Sequence, residues 1–265
     1  MTLISTGGPP HAPSSEISHR AHPGHKLMLV PTGQAVFKCD GCHEHGTGGD
    51  RYTCLQPSCD FDLHKDCALA QPTFKHQLLP DSTFELSFEP PRAKHRQLCS
   101  ACGDYVKGLH YHCYSKDLYL HPCCAKLPLE IRLGDELKFE LRPEVSHCCT
   151  KCRKGGGVRD FWFYRSTCKT VYLHVRCVIE DVLLPSSSSS TESDVDGNGR
   201  LARYFRESTS RKQGSGKAGR NSDPIFEIIK ALASIIIAVL TGNPVPLIPA
   251  VIDLGSNVIK SLKNR

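Results

Sequence analysis

The fold class this sequence predicts is a tandem repeat of small zinc-stabilised α+β modules, cross-braced by metal, followed by a C-terminal helical region. Three observations predict it. Cys39-x2-Cys42, Cys99-x2-Cys102 and Cys149-x2-Cys152 are each followed, after a variable gap, by Leu-His-x2-Cys, at Leu63-His64-x2-Cys67, Leu120-His121-x2-Cys124 and Leu173-His174-x2-Cys177. All fifteen cysteines of the 265-residue chain lie from Cys39 to Cys177. From Pro224 onward the chain has no cysteine and is strongly apolar.

Zinc accounts for these cysteines better than disulfides do. The N-terminus, Met1 to Pro10, has neither a basic start nor an apolar run of signal-peptide length, so a reducing cytoplasmic or nuclear location is expected. Thiols this dense in such a compartment are usually held by metal, and a histidine at fixed spacing beside them favours Zn²⁺. The odd number of cysteines points the same way.

Composition divides the chain into six parts. Residues 1–18, rich in Pro, Gly and Ser, read as a disordered N-terminus; 19–76, 77–128 and 129–181 read as zinc modules 1, 2 and 3. Residues 182–223 read as a linker that begins with Ser186 to Ser190 and ends with seven basic residues between Arg200 and Arg220. Residues 224–265 read as an amphipathic helical hairpin.

A Cys-x2-Cys turn places two thiolates on one ion, and a tetrahedral site needs two further ligands from elsewhere. The His-x2-Cys pair supplies them, giving Cys39, Cys42, His64 and Cys67 in module 1. Modules 2 and 3 repeat the set as Cys99, Cys102, His121, Cys124 and Cys149, Cys152, His174, Cys177. Module 1 also carries Cys54-x4-Cys59, which needs its own ion and two more ligands. Histidines on either side give an interleaved second site of His25, Cys54, Cys59 and His76. His22 competes with His25 for its position, and His25 is preferred because it opens a strand pattern. Interleaving puts the first and third ligand pairs on one metal and the second and fourth on the other. Two crossed ions would hold a unit otherwise too small to bury a sufficient core.

Short strands are expected at His25–Val30, Ala35–Lys38, Arg51–Cys54 and Phe61–Leu63, with a helical turn at 65–69. Phe84–Phe88 and Leu137–Leu141 alternate apolar and charged residues, as half-buried strands do, at matching places in modules 2 and 3.

The phrases His22-Pro23-x-His25-x-Leu27, Phe37-x-Cys39-x2-Cys42, Tyr52-x-Cys54 and Cys59-Asp60-Phe61-x-Leu63-His64-x2-Cys67-Ala68 resemble the plant DC1 family of divergent C1-like zinc modules. The resemblance covers roughly residues 19–180 and weakens from module 1 to module 3. It implies a C1-like fold of two small sheets, a short helix and two crossed zinc ions. It also implies a binding or scaffold role in plant signalling, stress response or development, without a reaction. Modules 2 and 3 depart from the pattern. Module 2 keeps Tyr111 and Cys113 but has Lys116 in place of Cys59; module 3 keeps Tyr164 but has Ser166 for Cys54 and Cys168 one place out of register. The crossed site is therefore expected only in module 1, for about four zinc ions per chain. An ammonium and packing around Tyr105, Tyr111, Trp162 and Phe163 are expected to fill the lost sites. The alternative draws His95, Cys113 and Cys123, or His147, Cys148 and Cys168, into irregular sites. Cys123 otherwise reads as a buried thiol.

Catalysis is disfavoured, because a zinc ion closed by three thiolates and an imidazole has no open position to activate water. Cys113 with His110 or His112 lacks an orienting third group. Nucleic acid ranks below protein as a partner: of the net charge of +6, much of the local excess sits in the linker, and no Arg-rich recognition helix follows a finger. A diacylglycerol-like ligand is disfavoured because loop 41–50 is polar. In the C-terminal region, Ile225 to Leu240 places Ile228, Ile229, Leu232, Ile235, Ile236 and Val239 on one helical face, and Ala250 to Leu262 repeats the pattern. The first helix would be roughly 24 Å long, short of the roughly 30 Å hydrocarbon layer. It is therefore expected to lie on an anionic membrane surface, to pack on an unidentified protein partner, or to self-associate.

Overall fold

The structure is a computed structural model that describes residues 14–33, 35–47, 49–91, 97–133, 137–144, 147–154, 161–178 and 224–241. Three four-stranded antiparallel sheets follow one another along the chain. The first comprises β1 (Glu16–His19), β2 (His22–Pro31), β5 (Asp50–Cys54) and β6 (Asp62–His64), in that order across the sheet. Between β2 and β5 lies a two-stranded ribbon, β3 (Val36–Lys38) with β4 (His45–Thr47). The second sheet comprises β7 (Thr73–Lys75), β8 (Thr83–Ser87), β9 (His110–Cys113) and β10 (Leu118–Leu120). The third comprises β11 (Glu130–Leu133), β12 (Leu137–Arg142), β13 (Phe163–Ser166) and β14 (Tyr172–His174). Helix is scarce in these units: α1 (Lys65–Ala68) and a 3₁₀ turn at Cys124–Lys126 follow the site histidines of the first two.

Hydrogen bonds repeat from sheet to sheet. Leu29 faces Tyr52, Leu86 faces Tyr111 and Leu141 faces Tyr164. Each tyrosine ring is buried, and a buried phenol needs a partner for its hydroxyl. Tyr52 donates to the Ser14 carbonyl at 2.7 Å, Tyr111 to Gln71 at 3.0 Å and Tyr164 to Pro128 at 2.7 Å, each acceptor lying just before the first strand of its sheet. The facing leucines likewise donate their backbone N–H to Ser15, Pro72 and Leu129, all at 2.8 Å.

These bonds set unit edges earlier than ligand spacing suggested. Residues 16–18, assigned by composition to the N-terminal tail, form most of β1 and pair with β2. Thr73–Lys75, assigned to module 1, pairs with β8 and belongs to the second sheet. A first strand without cysteines gave the ligand pattern nothing to mark it.

Pro224–Thr241 forms one helix, α2, with proline at its first position, where no intrahelical N–H bond is lost. It packs against β4, the 3₁₀ turn and β11, and so touches all three units. Ile228, Ile229, Leu232, Ala233, Ile236 and Leu240 are all buried. The apolar face expected to meet a membrane or another protein is thus covered by the chain's own modules. The second expected helix, at 250–262, and the linker at 182–223 lie outside the described residues. No helix among the described residues is long and apolar enough to cross a membrane.

Candidate metal centres

Each Cys-x2-Cys pair sits on the same backbone turn. In module 1, His43 N–H bonds to the Cys39 carbonyl at 2.8 Å and Cys39 N–H to the Glu44 carbonyl at 2.9 Å. Gly103 and Cys99 make the same bonds in module 2 (2.9 and 2.8 Å), and Arg153 and Cys149 in module 3 (2.9 and 2.9 Å). The residue after the second cysteine must then take a left-handed conformation, and φ is 62° at His43, 73° at Gly103 and 60° at Arg153. Only Gly103 adopts it without a Cβ penalty. The residue after the first cysteine ties the turn to the strand carrying the histidine: Asp40 N–H bonds to Asp62 O, Ser100 to Tyr119 O and Thr150 to Tyr172 O, at 2.7–2.8 Å. In module 1 the Asp62 N–H also donates to the Asp40 carboxylate at 2.7 Å, so Asp40 staples the site's edge.

This scaffold brings four groups of ligand atoms together, the members of each lying within 4.8 Å of one another. Three are the knuckle sites read from sequence: Cys39, Cys42, His64, Cys67; Cys99, Cys102, His121, Cys124; and Cys149, Cys152, His174, Cys177. Each histidine presents Nδ1. The Nδ1–Sγ distances are 3.5 and 3.8 Å from His64 to Cys42 and Cys67, and 3.5 and 3.8 Å from His121 to Cys102 and Cys124. From His174 to Cys152 and Cys177 both are 3.4 Å. Zn–S bonds of about 2.3 Å and Zn–N bonds of about 2.0 Å at tetrahedral angles require S–N edges of about 3.5 Å. The donor sets fit zinc in atom type, number and spacing.

The fourth group differs from the sequence expectation by one residue. It is His22, His25, Cys54 and Cys59, with His22 in place of His76. His22 Nε2 lies 3.2 Å from His25 Nδ1 and 3.5 Å from Cys59 Sγ, and His25 Nδ1 lies 3.5 Å from Cys54 Sγ. A regular strand would send residues three apart to opposite faces. Here the register slips: Ser18 pairs with Lys26 but His19 pairs with His22, so one step on β1 spans the whole His22-Pro23-Gly24-His25 segment on β2. That bulge carries both rings to one side, where His22 stacks on Phe61 with centroids 4.4 Å apart. His76 is in the second unit, buried against Trp162 at 4.7 Å, and its Nδ1 accepts the Leu78 N–H at 3.1 Å. It is a core histidine. With two histidines upstream, the ligand pairs alternate between the two ions as His-His, Cys-Cys, Cys-Cys, His-Cys.

Crowded donors share protons unevenly. Burial alone would raise the Cys39 thiol, but hydrogen bonds from Cys42 and Cys67 and the nearby His64 hold it well below its ordinary value. Cys99 behaves the same way beside Cys102, Cys124 and His121. Against burial, which would lower them, neighbouring thiolates hold His64 and His121 well above the usual imidazole range. Zinc binding requires thiolate and neutral imidazole, and a cation supplies the charge that stabilises this combination.

The crossed site of module 1 has no counterpart among the described residues of modules 2 and 3. In module 3 the Ser166 hydroxyl stands at the Cys54 position and accepts the N–H groups of Thr170 at 3.2 Å and Val171 at 3.0 Å, and the Cys168 thiol at 3.3 Å. A hydrogen-bonded turn replaces the ion. In module 2, Cys113 Sγ meets Ser115 Oγ at 3.3 Å. Lys116 and Tyr105, expected as filling, are exposed instead, whereas Trp162 and Phe163 are buried as expected. His147 stacks on Tyr172 at 4.5 Å and belongs to none of the four ligand groups, and His95 lies outside the described residues.

Close approaches fix two glycines. A Cβ at Gly46 would lie 2.5 Å from His64 Nε2 and 2.6 Å from the Phe37 ring. A Cβ at Gly108 would lie 2.2 Å from the Gly41 carbonyl, beside the bond from Leu109 N–H to that same carbonyl at 2.7 Å. Lys107 reaches across the same contact to the buried Glu44 carboxylate at 2.9 Å. Modules 1 and 2 are therefore docked through the backbone beside their knuckles. The sequence gives no sign of this role for Glu44, because its partner lies in another module.

Residues 20–68 match the family model of the C1 domain, a span that contains all eight ligands of the two module-1 sites. No curated protein and no solved structure matches the chain. The chain thus carries small, mostly β, C1-like cysteine- and histidine-rich modules, with four ligand groups suited to about four zinc ions.

Proposed function

We propose that this chain is a non-catalytic zinc scaffold or adaptor of the plant DC1 type, which binds a protein partner in signalling, stress response or development. The observation that carries the reading is the composition of the four ligand groups. Each offers four side-chain donors at tetrahedral spacing, so a bound ion has no open position at which to activate water or polarise a substrate. Exposed apolar side chains outside these groups support protein recognition: Leu55 is 65% and Tyr114 67% exposed, and the Tyr114 ring lies 4.1 Å from that of His112. Tyrosine is enriched among the residues that dominate protein interfaces.

Cobalt substitution tests the non-catalytic half. The Co²⁺ protein should give the intense visible bands of a tetrahedral thiolate site, and these should not move when cyanide or imidazole is added. A shift on addition reveals an exchangeable position and refutes the reading. The basic residues from Arg200 to Arg220 supply a second reading, attachment to an anionic membrane surface. Sedimentation with anionic vesicles of the full chain, against a version ending at Pro185, decides it: equal pelleting removes the membrane reading. Tight, salt-sensitive binding of nucleic acid by the full chain would favour the alternative of a nucleic-acid-associated zinc protein.

A further inference from the structure

An open cleft of about 220 Å³ lies between the edge strand β7 and residues 125–129, and none of the residues lining it belongs to a ligand group. At about 30 Å³ per water, that is the room of about seven waters, or of a molecule of about ten non-hydrogen atoms. Both walls are fixed: β7 pairs with β8, and the Pro128 and Leu129 carbonyls accept from the Tyr164 hydroxyl and the Leu141 N–H of module 3. Phe74, Leu127 and Leu129 supply an apolar lining, and Lys75 and Lys126, both exposed, put one lysine on each wall. Asp66 lies near Lys126 and offsets part of its charge.

His76, also on the lining, is the polar group that the fold leaves unfinished. It is 5% exposed, its ring packed on Trp162 with centroids 4.7 Å apart. Leu78 N–H donates to its Nδ1 at 3.1 Å, so the proton sits on Nε2, and burial, which lowers its pKa, keeps the ring neutral. That Nε2–H has no acceptor among the described residues, yet it is not sealed off as the orphaned His64 Nε2 is. The little of the ring that stays uncovered opens on the cleft.

We propose that this cleft is a binding site for a small carboxylate with an apolar body, such as an aromatic acid. The carboxylate accepts the His76 Nε2–H and is neutralised by Lys75 and Lys126, while the body lies on Phe74, Leu127 and Leu129. One negative charge suits two lysines of which one is partly offset; a phosphate dianion would be left under-neutralised. An apolar lining around a few placed polar groups is the usual make-up of a small-molecule site. The site is separate from the zinc ions and from any protein partner of the modules.

Titration of the full zinc-loaded chain with benzoate, followed by calorimetry, tests it. Benzoate has about nine non-hydrogen atoms and should bind with a Kd of about 1 mM or tighter. His76→Asn keeps an acceptor for the Leu78 N–H but removes the Nε2–H, and should weaken binding about tenfold. Lys75→Ala changes an exposed side chain, leaves folding intact and should weaken binding about threefold. Benzamide, which has the shape without the charge, and acetate, which has the charge without the body, should each bind at least about tenfold more weakly than benzoate. No saturable benzoate binding by about 10 mM overturns the proposal. So does benzoate binding that Lys75→Ala or a folded His76→Asn leaves unchanged, and so does benzamide or acetate binding as tightly as benzoate.

Discussion

His22→Ala and His76→Ala separate the two ligand sets that sequence and structure assign to the crossed site. Structural zinc contributes about 10–16 kcal/mol to small zinc domains at neutral pH, or roughly 3 kcal/mol per ligand when shared among four. Each 1.4 kcal/mol is a factor of ten, so losing the His22 ring, whose Nε2 lies 3.2 Å from the other imidazole and 3.5 Å from Cys59, should weaken the site by about a hundredfold. The site is also the least enclosed of the four, with His25 exposed and His22 and Cys59 partly so, and water can take the vacated position. His22→Ala should therefore lose one zinc of four after equilibration with a competing chelator. His76→Ala should keep all four. It removes a buried ring from between Phe74 and Trp162 and leaves the Leu78 N–H without its acceptor, at a cost of about 2 kcal/mol of thermal stability. Elemental analysis alongside thermal unfolding reads both quantities. A His76→Ala chain with three zinc ions, or a His22→Ala chain with four, would refute the assignment.

Gly46→Ala should lower zinc affinity at the module-1 knuckle, because the new methyl drives into His64 and Phe37; a chelator titration equal to wild type would count against that close approach. Gly108→Ala should leave zinc content at four yet loosen modules 1 and 2, measured as faster proteolysis between them. Glu140 is held below its ordinary pKa by its hydrogen bonds to Arg142 and Arg165. Its contribution is therefore present at neutral pH and lost as pH falls through the lowered value. Glu140→Gln should cost up to about 1 kcal/mol at pH 7, and the difference from wild type should vanish in acid; a deficit that persists there would contradict it.

The knuckle sites were legible in the sequence because each depends on local spacing: a turn between two cysteines and a strand end bearing Leu-His. Some strands were legible for a related reason, since alternation across a half-buried sheet leaves its mark at Phe84–Phe88 and Leu137–Leu141, close to the observed β8 and β12. The joint use of His22 with His25, which the sequence offered only as alternatives, was not, because it follows from a register slip against β1, and the composition of residues 16–18 suggested a tail. The signal was available in His22-Pro23-Gly24-His25, where Pro and Gly interrupt the strand alternation that would otherwise set the two histidines on opposite faces. The docking of modules 1 and 2 was illegible for another reason: it rests on backbone contacts at Gly41 and Gly108 that no side-chain pattern reports.

The apolar pattern of helix α2 is compatible with more than one environment. Its apolar stripe was readable, but a hydrophobic face does not name what covers it. Six large aliphatic side chains, Ile228, Ile229, Leu232, Ile236, Ile237 and Leu240, are buried at 8% exposure or less, each contributing about 1.5 kcal/mol or more relative to water. Transfer of the same side chains into a lipid interface would recover much the same apolar term, so burial alone barely discriminates between the modules and a membrane. The balance then falls to the basic linker, where each residue near an anionic surface is worth about 1 kcal/mol and is screened by salt. Ile236→Asp places a carboxylate at a position with 0% exposure against the modules. It should undock the helix, measured as new cleavage by a protease within 224–241 while zinc content stays at four. If the helix remains protected in that variant, its packing on β4, the 3₁₀ turn and β11 is not what covers the apolar face.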